Sequence, residues 1–287
     1  MKHAISKFAG LAVAVSVALG SSLALAAGGG DGEPAHYPIK KPREQSWSFA
    51  GPFGTWDLGQ MQRGFKVYQE VCSACHNIDL VKFRNLTALG FSEAQAKAIA
   101  AEYEVEDGPD ADGEFFDRTA VLSDGIPGPY TNSAEAAAAN NGAAPPDFSL
   151  LAKARAPERG FPTFIFDVFT LYAENGSDYI YSLLTGYQDP PSGVEVPDGA
   201  HYNPYFIAGS ALAMANPLSD DIVDYDDGTP QTVDQYSKDV AAFMMWAAEP
   251  TLVERKQLGF KVMIFLLIFA GLLYLTKKRV FRDLKEA

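Results

Sequence analysis

Apolar residues recur at helical spacing in four segments of this chain, and the pattern predicts a mainly α-helical protein. The segments are residues 61–76, 92–104, 178–185 and 234–248. In the last segment Val240, Phe243 and Ala247 lie one turn apart, and Thr232 and Gln235 form a T-x-x-Q sequence typical of a capping box. Alternating apolar and polar positions, which would indicate strands, are scarce.

Two continuous apolar segments, one near each end, indicate membrane targeting and anchoring rather than helices of a folded core. Residues 8–19 follow Lys2 and Lys7 and precede small residues around Ala26, which predicts a cleaved signal peptide over residues 1–26. Residues 258–276 are apolar on every face and precede a basic tail, residues 277–287. This second segment predicts one transmembrane helix, and a buried helix of a soluble domain is the alternative.

These assignments divide the chain between compartments. Residues 27–257 are expected to form an exported domain on the periplasmic side of a bacterial cytoplasmic membrane, with the C-terminus in the cytoplasm. Their number is typical of one domain with long loop insertions. The stretches 133–146 and 188–203, rich in Pro, Gly or other small residues, are predicted to be such loops.

The exported domain is strongly acidic. The whole chain has a formal net charge of −13, although several of its basic residues lie in the signal peptide and the tail. Acidic residues concentrate between positions 102 and 117 and between 220 and 227. Most of these carboxylates are expected to keep loops solvated, but their combined field repels nucleic acid and attracts a basic protein partner.

Both cysteines of the chain belong to one C-x-x-C-H sequence, Cys72-Ser-Ala-Cys75-His76. This is the attachment motif of a c-type haem, in which two thiols form thioethers with the porphyrin and the histidine binds the iron. On a helix the three side chains would project toward the same side. A thioredoxin-like pair would require a helix start after a strand, and a structural zinc site about four Cys or His ligands. One covalently bound haem c is therefore the predicted cofactor.

Helices at both ends of a haem domain are expected to close its pocket. We predict that the helix before the motif crosses the C-terminal helix of the exported domain at small and aromatic residues. These residues are Gly64, Phe65 and Tyr68 on the first helix, and Val240, Phe243 and Met244 on the second.

A sixth iron ligand is needed if the site transfers electrons without binding exogenous molecules. The candidates are Met61, Met214, Met244, Met245, Met263, His36 and His201. Two are excluded by position, since Met61 precedes His76 on one predicted helix and Met263 lies in the predicted span. The pair at 244 and 245 fits the apolar face of a helix, where methionine usually fills the core. Met214 lies in a loop-like run of small residues and is the favoured sixth ligand. Met244, Met245 and His201 remain the alternatives.

Several motifs in order resemble the cytochrome c1 family, the haem c subunits of cytochrome bc1 complexes. They are Val-Cys-Ser-Ala-Cys-His at 71–76, Asn-Asn-Gly-Ala-Ala-Pro-Pro-Asp-Phe-Ser at 140–149, Ala-Arg at 154–155, Asp-Tyr-Ile-Tyr-Ser-Leu-Leu-Thr-Gly-Tyr at 178–187, Tyr-Asn-Pro-Tyr-Phe at 202–206, Ala-Met-Ala at 213–215 and Trp-Ala-Ala-Glu-Pro at 246–250. The resemblance extends over nearly the whole exported domain and the anchor. It implies a class I cytochrome c-like haem domain with long insertions, and residues 156–175 are longer than in some members.

The resemblance also implies the residues of the haem site. Cys72 and Cys75 would carry the thioethers, with His76 and Met214 as axial ligands of the iron. The residues expected to line the pocket are Asn140, Pro146, Tyr179, Leu183, Leu184 and Phe206. Arg155 is expected to bind a haem propionate, for which a guanidinium has suitable donor geometry.

The function that the resemblance implies is one-electron relay. In the family, electrons pass from a Rieske iron–sulfur protein to a soluble or membrane-bound cytochrome c, beside cytochrome b in a dimeric complex. Such a chain needs no substrate site of its own. The alternatives are a c-type carrier in another membrane oxidoreductase and a haem-based sensor with an open sixth position.

Overall fold

The computed structural model describes residues 40–282, so the predicted signal peptide, His36 and the end of the basic tail lie outside the described residues. As predicted, the described chain is mainly helical. Its helices are α1 Leu58–Glu70, α2 Glu93–Ala100, α3 Ser133–Ala139, α4 Leu151–Ala154, α5 Thr163–Thr170, α6 Asn175–Leu184, α7 Val233–Ala248 and α8 Leu252–Val280, with 3-10 turns at Cys72–Ala74 and Phe83–Leu89. Two antiparallel pairs complete the fold, β1 Glu104–Asp107 with β2 Phe116–Thr119, and β3 His201–Tyr202 with β4 Ala211–Leu212.

The core forms where α1 crosses α7, as the sequence predicts. Gly64 lies at the crossing, because a Cβ atom there would come within 2.1 Å of the carbonyl oxygen of Asp239. The rings of Phe65 and Tyr68 lie 5.7 and 5.8 Å from the ring of Phe243. All three aromatic residues are almost fully buried, so this crossing excludes water beside the cysteine motif.

Side-chain hydrogen bonds fix the ends of the long helices. The Asp57 carboxylate accepts from the Gln60 backbone N–H at the start of α1. Thr232 caps α7 by accepting from the Gln235 N–H, but the Gln235 side chain donates to Asp239 instead of returning to the cap. The predicted capping box is thus half formed. The Gln235 side chain is turned toward the buried Asp239 carboxylate, so it does not accept the return hydrogen bond from the Thr232 N–H.

Four segments differ from the expectations. The helix predicted over 61–76 ends at Glu70, because Val71 leaves helical geometry with φ −121° and ψ −57°. The helix predicted over 92–104 ends at Ala100, and its last residues begin strand β1. The predicted loop 133–146 opens with helix α3, since the Asn132 side chain accepts from two backbone N–H groups of its first turn. Helix α5 has no counterpart among the predicted helices.

Helix α8 begins at Leu252, before the predicted span 258–276, and its first turns pack on the helical domain. Leu252, Val253 and Lys256 are buried there. Lys256 Nζ donates to the Glu174 carboxylate at 2.9 Å and to the Phe49 carbonyl oxygen at 3.0 Å, and both charged side chains are at most 3% exposed. Beyond this contact the side chains are exposed, and α8 is long and apolar enough to span a membrane.

Candidate haem site

The cysteine motif forms a tight turn at the end of α1. The backbone N–H groups of Cys75 and His76 both donate to the carbonyl oxygen of Cys72, at 3.1 and 2.9 Å. The Ser73 hydroxyl donates back to the Gln69 carbonyl oxygen of α1. The two thiols and the imidazole therefore belong to one turn, although that turn follows the helix rather than continuing it.

The imidazole of His76 is buried and held by one strong hydrogen bond. Its Nδ1 lies 2.7 Å from the carbonyl oxygen of Pro146, which can only accept, so Nδ1 carries the proton. The ring of Phe148 packs against the imidazole with 4.3 Å between the centroids and a tilt of 33° between the planes. Burial lowers the pKa of His76, so the ring is neutral near pH 7. Nε2 therefore keeps the free electron pair that a metal ion requires.

Residues 146–149 hold this geometry through backbone contacts with the motif. The Phe148 N–H donates to the Asn77 carbonyl oxygen at 2.8 Å. The Asp147 carboxylate accepts from the Asp79 N–H, and the Ser149 hydroxyl accepts from the Leu80 N–H. The Pro-Asp-Phe-Ser sequence thus forms one wall beside the motif, with the exposed Pro146 as its first residue.

Asn140 is connected to the same region through one tyrosine. Its side-chain amide donates to the Tyr130 hydroxyl at 3.0 Å and to the Ala136 carbonyl oxygen of α3 at 2.7 Å. The Tyr130 carbonyl oxygen in turn accepts from the Asn77 side chain, next to His76. Asn140 therefore stabilises the segment that approaches the motif.

Met214 follows strand β4 in a short segment without regular structure. Its side chain is half-buried and packs on the edge of the core. The Tyr187 hydroxyl donates to the Met214 carbonyl oxygen at 3.1 Å, which fixes the backbone that carries the thioether. Burial raises the pKa of Tyr187 well above its usual value, so it remains a proton donor.

Helix α6 carries Tyr179, Leu183 and Leu184, and Tyr179 is connected to the Met214 segment through Tyr187. Tyr179 lies close enough to Tyr187 for the two phenols to interact electrostatically, and its hydroxyl accepts from the Ile207 N–H at 3.3 Å. The cation of Arg155 interacts with the same Tyr179. Leu183 on α6 and Phe206 beside Ile207 are half-buried, and Leu184 is buried.

A short segment connects the histidine side of the site with the methionine side. It runs from Pro146, the acceptor for His76, through α4 to Arg155 beside Tyr179. Helix α4 packs directly on α6, because a Cβ atom at Gly176 would lie 1.5 Å from the Ala152 carbonyl oxygen. A chain of contacts thus leads from His76 through Pro146 and α4 to Arg155 and Tyr179, and from Tyr179 through Tyr187 to the Met214 backbone.

The other Met and His candidates are placed less favourably for an iron ligand. Met61, Met244 and Met245 are at most 2% exposed and belong to the α1 and α7 core. His201 is exposed on strand β3, and Met263 lies on the exposed apolar part of α8. Among the methionines of the described chain outside α8, Met214 is the one at the half-buried edge of the core.

The residues of the site fit a haem c better than the competing cofactors. A thiol pair, a neutral imidazole with a free Nε2 and a partly open apolar surface are the groups that such a haem requires. Within residues 40–282 no group of three or more His, Cys, Asp or Glu side chains is arranged to hold a metal ion. Helix α1 ends before the motif, and burial raises the pKa of the Cys72 thiol, whereas a thioredoxin-like pair needs a reactive thiolate.

Sequence reasoning overlooked Tyr187 and Phe148 as residues of the site. Both lie inside motifs that carried the resemblance, but neither had a signal of its own, because a tyrosine after Gly186 or a phenylalanine after Asp147 is ordinary in a core. Their roles depend on Met214 and His76, which are distant in sequence.

Comparison with known proteins identifies the family of the chain. Residues 47–284 match the Cytochrome C1 family. The chain is 50% identical to a cytochrome c1 of Blastochloris viridis, over 85% of this chain and 88% of that protein. It is 46% identical to a mitochondrial cytochrome c1 haem protein of Arabidopsis thaliana, over 78% of this chain and 66% of that protein.

A fused relative matches over nearly the whole length of the chain. The cytochrome b/c1 protein of Bradyrhizobium diazoefficiens is 50% identical over 99% of this chain, which spans 42% of the length of that protein. The family match includes the cysteine motif, the Met214 segment and the whole of helix α8. The chain belongs to the cytochrome c1 family, a family of membrane-anchored, haem-carrying proteins of electron transport.

Proposed function

We propose that this chain relays single electrons from a Rieske iron–sulfur protein to a cytochrome c, through one covalently bound haem c. Cys72 and Cys75 would hold the porphyrin, and His76 and Met214 would bind the iron. The observation that carries the proposal is the hydrogen bond from His76 Nδ1 to Pro146, on a turn that also presents both cysteines. When bound, such a haem supplies a reversible one-electron couple, and methionine ligation raises its potential.

The protein residues around the site have roles that suit electron transfer. Pro146 fixes the orientation of the imidazole, and Phe148 excludes water from one of its faces. Tyr187 holds the Met214 backbone in place, which keeps the sixth position filled. Arg155, at the exposed end of α4, provides a cation for a propionate. If neither proposed ligand has to move when the iron changes charge, the reorganisation energy of electron transfer would be small.

The proposed setting is a membrane complex with cytochrome b. One relative is named a cytochrome b/c1 protein, so a c1 sequence and a cytochrome b sequence occur together in that chain. We propose that this chain assembles with cytochrome b and a Rieske protein as a dimeric quinol:cytochrome c oxidoreductase. The acidic domain would lie on the periplasmic side after removal of residues 1–26, with the basic tail in the cytoplasm.

Replacing the proposed sixth ligand tests the site. The Met214→Leu protein should lose the low-spin, six-coordinate spectrum, have a lower reduction potential and bind carbon monoxide when reduced. Met244→Leu is the matched control, because it removes a buried methionine of the core and should leave the spectrum unchanged. An unchanged redox titration of Met214→Leu would contradict the assignment and direct attention to Met245 or His201.

Purification from native membranes in mild detergent tests the setting. Cytochrome b and a Rieske protein should co-purify with the chain. Co-purification with a different oxidoreductase would instead support the carrier alternative, and rapid carbon monoxide binding by the unmodified protein would support the sensor.

A further inference from the structure

Phe53 is a large apolar side chain that the fold exposes beside the anchor helix. It is 71% exposed, and its ring contacts Phe260 of α8 edge-on, with 5.0 Å between the ring centroids. Phe260 itself is 39% exposed. The two rings therefore form one apolar surface that continues the exposed face of α8.

The loop that carries Phe53 has a closed backbone. The Thr55 N–H donates to the Ser48 carbonyl oxygen at 2.9 Å and joins the two ends of the loop. Gly51 takes a left-handed conformation, and a Cβ atom at Gly54 would lie 2.3 Å from the Phe49 carbonyl carbon. Such a tight loop cannot turn Phe53 into the core without breaking its own hydrogen bond.

Lys256 ties this loop to the anchor helix. Its ammonium group donates to the carbonyl oxygen of Phe49, the residue that begins the loop, and to the buried Glu174. Lys256 and Phe260 lie one turn apart on α8, so they are neighbours along the same face. The position of Phe53 along α8 is thus set at two successive turns of that helix.

The length of the apolar segment locates this contact in the membrane. From Leu258 to Thr276 the helix rises about 28 Å, close to the roughly 30 Å thickness of a hydrocarbon core. Phe260 then lies in the first turn of the span, and the amine of Lys261 can extend to the headgroups. Because Phe53 touches Phe260, it lies at the depth where headgroups meet acyl chains.

We propose that Phe53 inserts into the outer interfacial layer of the phospholipid bilayer and, with the Lys256 contact, sets the depth and tilt of the exported domain. Exposure of a phenyl ring on a constrained loop is unfavourable in water but favourable at a bilayer interface, where apolar side chains enter the boundary below the headgroups. The bilayer is the occupant because the surface is continuous with the exposed apolar side chains of α8, a helix long and apolar enough to span a membrane.

Tryptophan fluorescence in vesicles tests the insertion. The full-length, haem-loaded Phe53→Trp protein is reconstituted in phosphatidylcholine vesicles with or without bromine near the top of the acyl chains. Phe115→Trp is the matched control, because Phe115 is 63% exposed between the strands β1 and β2, away from α8 in sequence. The emission of the unmodified protein is subtracted. Each variant is then compared between brominated and plain vesicles, and quenching by the haem cancels because it is the same in both.

Shallow bromine should reduce the variant-specific emission of Phe53→Trp about twofold, as expected for a side chain in the interface, and deep bromine should reduce it less. Phe115→Trp should not respond. Equal emission of Phe53→Trp in brominated and plain vesicles would overturn the proposal. So would quenching that disappears in the complex purified with its partner subunits, since Phe53 would then face protein rather than lipid.

A second variant measures the consequence for orientation. In oriented multilayers, Phe53→Ser should broaden or shift the angle between the haem plane and the membrane, while the reduction potential stays unchanged. An unchanged angle would show that Phe53 does not set the tilt. Since both readouts concern position rather than electron transfer, they can fail without affecting the proposed relay.

Discussion

Two backbone carbonyl groups determine how the residues of the site are oriented. Pro146 accepts from the imidazole of His76, and Met214 accepts from the hydroxyl of Tyr187. The first contact selects the tautomer of the histidine, and the second fixes a segment that otherwise has no regular structure. Hydrogen bonds of this kind orient metal ligands and affect metal affinity as strongly as some ligands do.

Replacing Tyr187 by phenylalanine tests the second contact. The change removes a hydrogen bond worth about 1 kcal/mol and should loosen the Met214 segment. We expect the reduced Tyr187→Phe protein to bind carbon monoxide slowly, whereas the unmodified protein does not, and its reduction potential to fall. Tyr205→Phe is the control, because its ring remains beside the guanidinium of Arg43. Identical carbon monoxide inertness in both variants would contradict the role of Tyr187.

At the scale of helices, two glycines allow pairs of helices to approach closely. Gly64 lets α1 lie against α7, and Gly176 lets α6 lie against α4. The first contact supports the motif at the end of α1, and the second connects the two sides of the site. In each case the facing atom is a backbone carbonyl oxygen, which cannot move aside as a flexible side chain would.

Gly64→Ala should separate α1 from α7 and destabilise the domain by about 1–3 kcal/mol, the usual cost of overpacking a core. The melting temperature of the haem-loaded protein, followed by circular dichroism in detergent, measures this. Gly59→Ala, in the first turn of the same helix, is the matched control, because its Cβ would meet no atom closer than 3.4 Å. Equal melting temperatures for the two variants would argue against close packing at Gly64.

The buried pair of Lys256 and Glu174 joins α8 to the exported domain. Lys256→Met or Glu174→Met alone should cost about 3–5 kcal/mol, because each leaves an unpaired buried charge, whereas the double variant should recover most of the loss. Denaturant unfolding in mild detergent measures this cycle. Lys153→Met is the control, because Lys153 is an exposed ion-pair partner of Glu249. Its loss should lower the free energy of unfolding by at most about 1 kcal/mol. Additive losses in the cycle would show that the pair is not coupled.

At the scale of the whole molecule, the acidic surface is partly structural and partly free for a partner. Asp227 pairs with Arg63, and Asp220 accepts from the first N–H of α7. Asp226 lies 3.7 Å from the ammonium group of Lys66, but its side chain is 96% exposed and stays accessible to a partner. The negative field predicted from the sequence therefore persists at the surface, although some of its carboxylates also stabilise helix ends.

Electron transfer to a basic soluble cytochrome c should slow as ionic strength rises, because salt screens attraction beyond about 10 Å at 0.1 M. Stopped-flow oxidation of the reduced protein across a salt series measures this. An anionic small-molecule oxidant is the control, and its rate should rise with salt, since the same field repels it. Rates that do not change with ionic strength for either oxidant would exclude electrostatic steering.

The cofactor, the anchor and the helical class follow from the sequence alone, because each depends on residues that are adjacent or regularly spaced. Cys72, Cys75 and His76 belong to one pentapeptide, residues 258–276 are predominantly apolar, and apolar residues recur at helical spacing, whereas the crossing at Gly64 was expected from the helix arrangement of cytochrome c folds. The sequence pattern did not predict that α1 ends at Glu70 or that α3 forms. Caps and backbone angles at single residues decide where a helix begins and stops.

Only the tertiary structure determined which residues meet. The contacts of His76 with Pro146, of Met214 with Tyr187 and of Lys256 with Glu174 join positions far apart in the chain. No local propensity encodes such contacts, because they arise when separate elements pack on a shared core and satisfy their buried polar groups together. The sequence by itself determined the haem motif and the apolar anchor segment, and the packing decided how the His76 imidazole and the Met214 backbone are held and how α8 is joined to the domain.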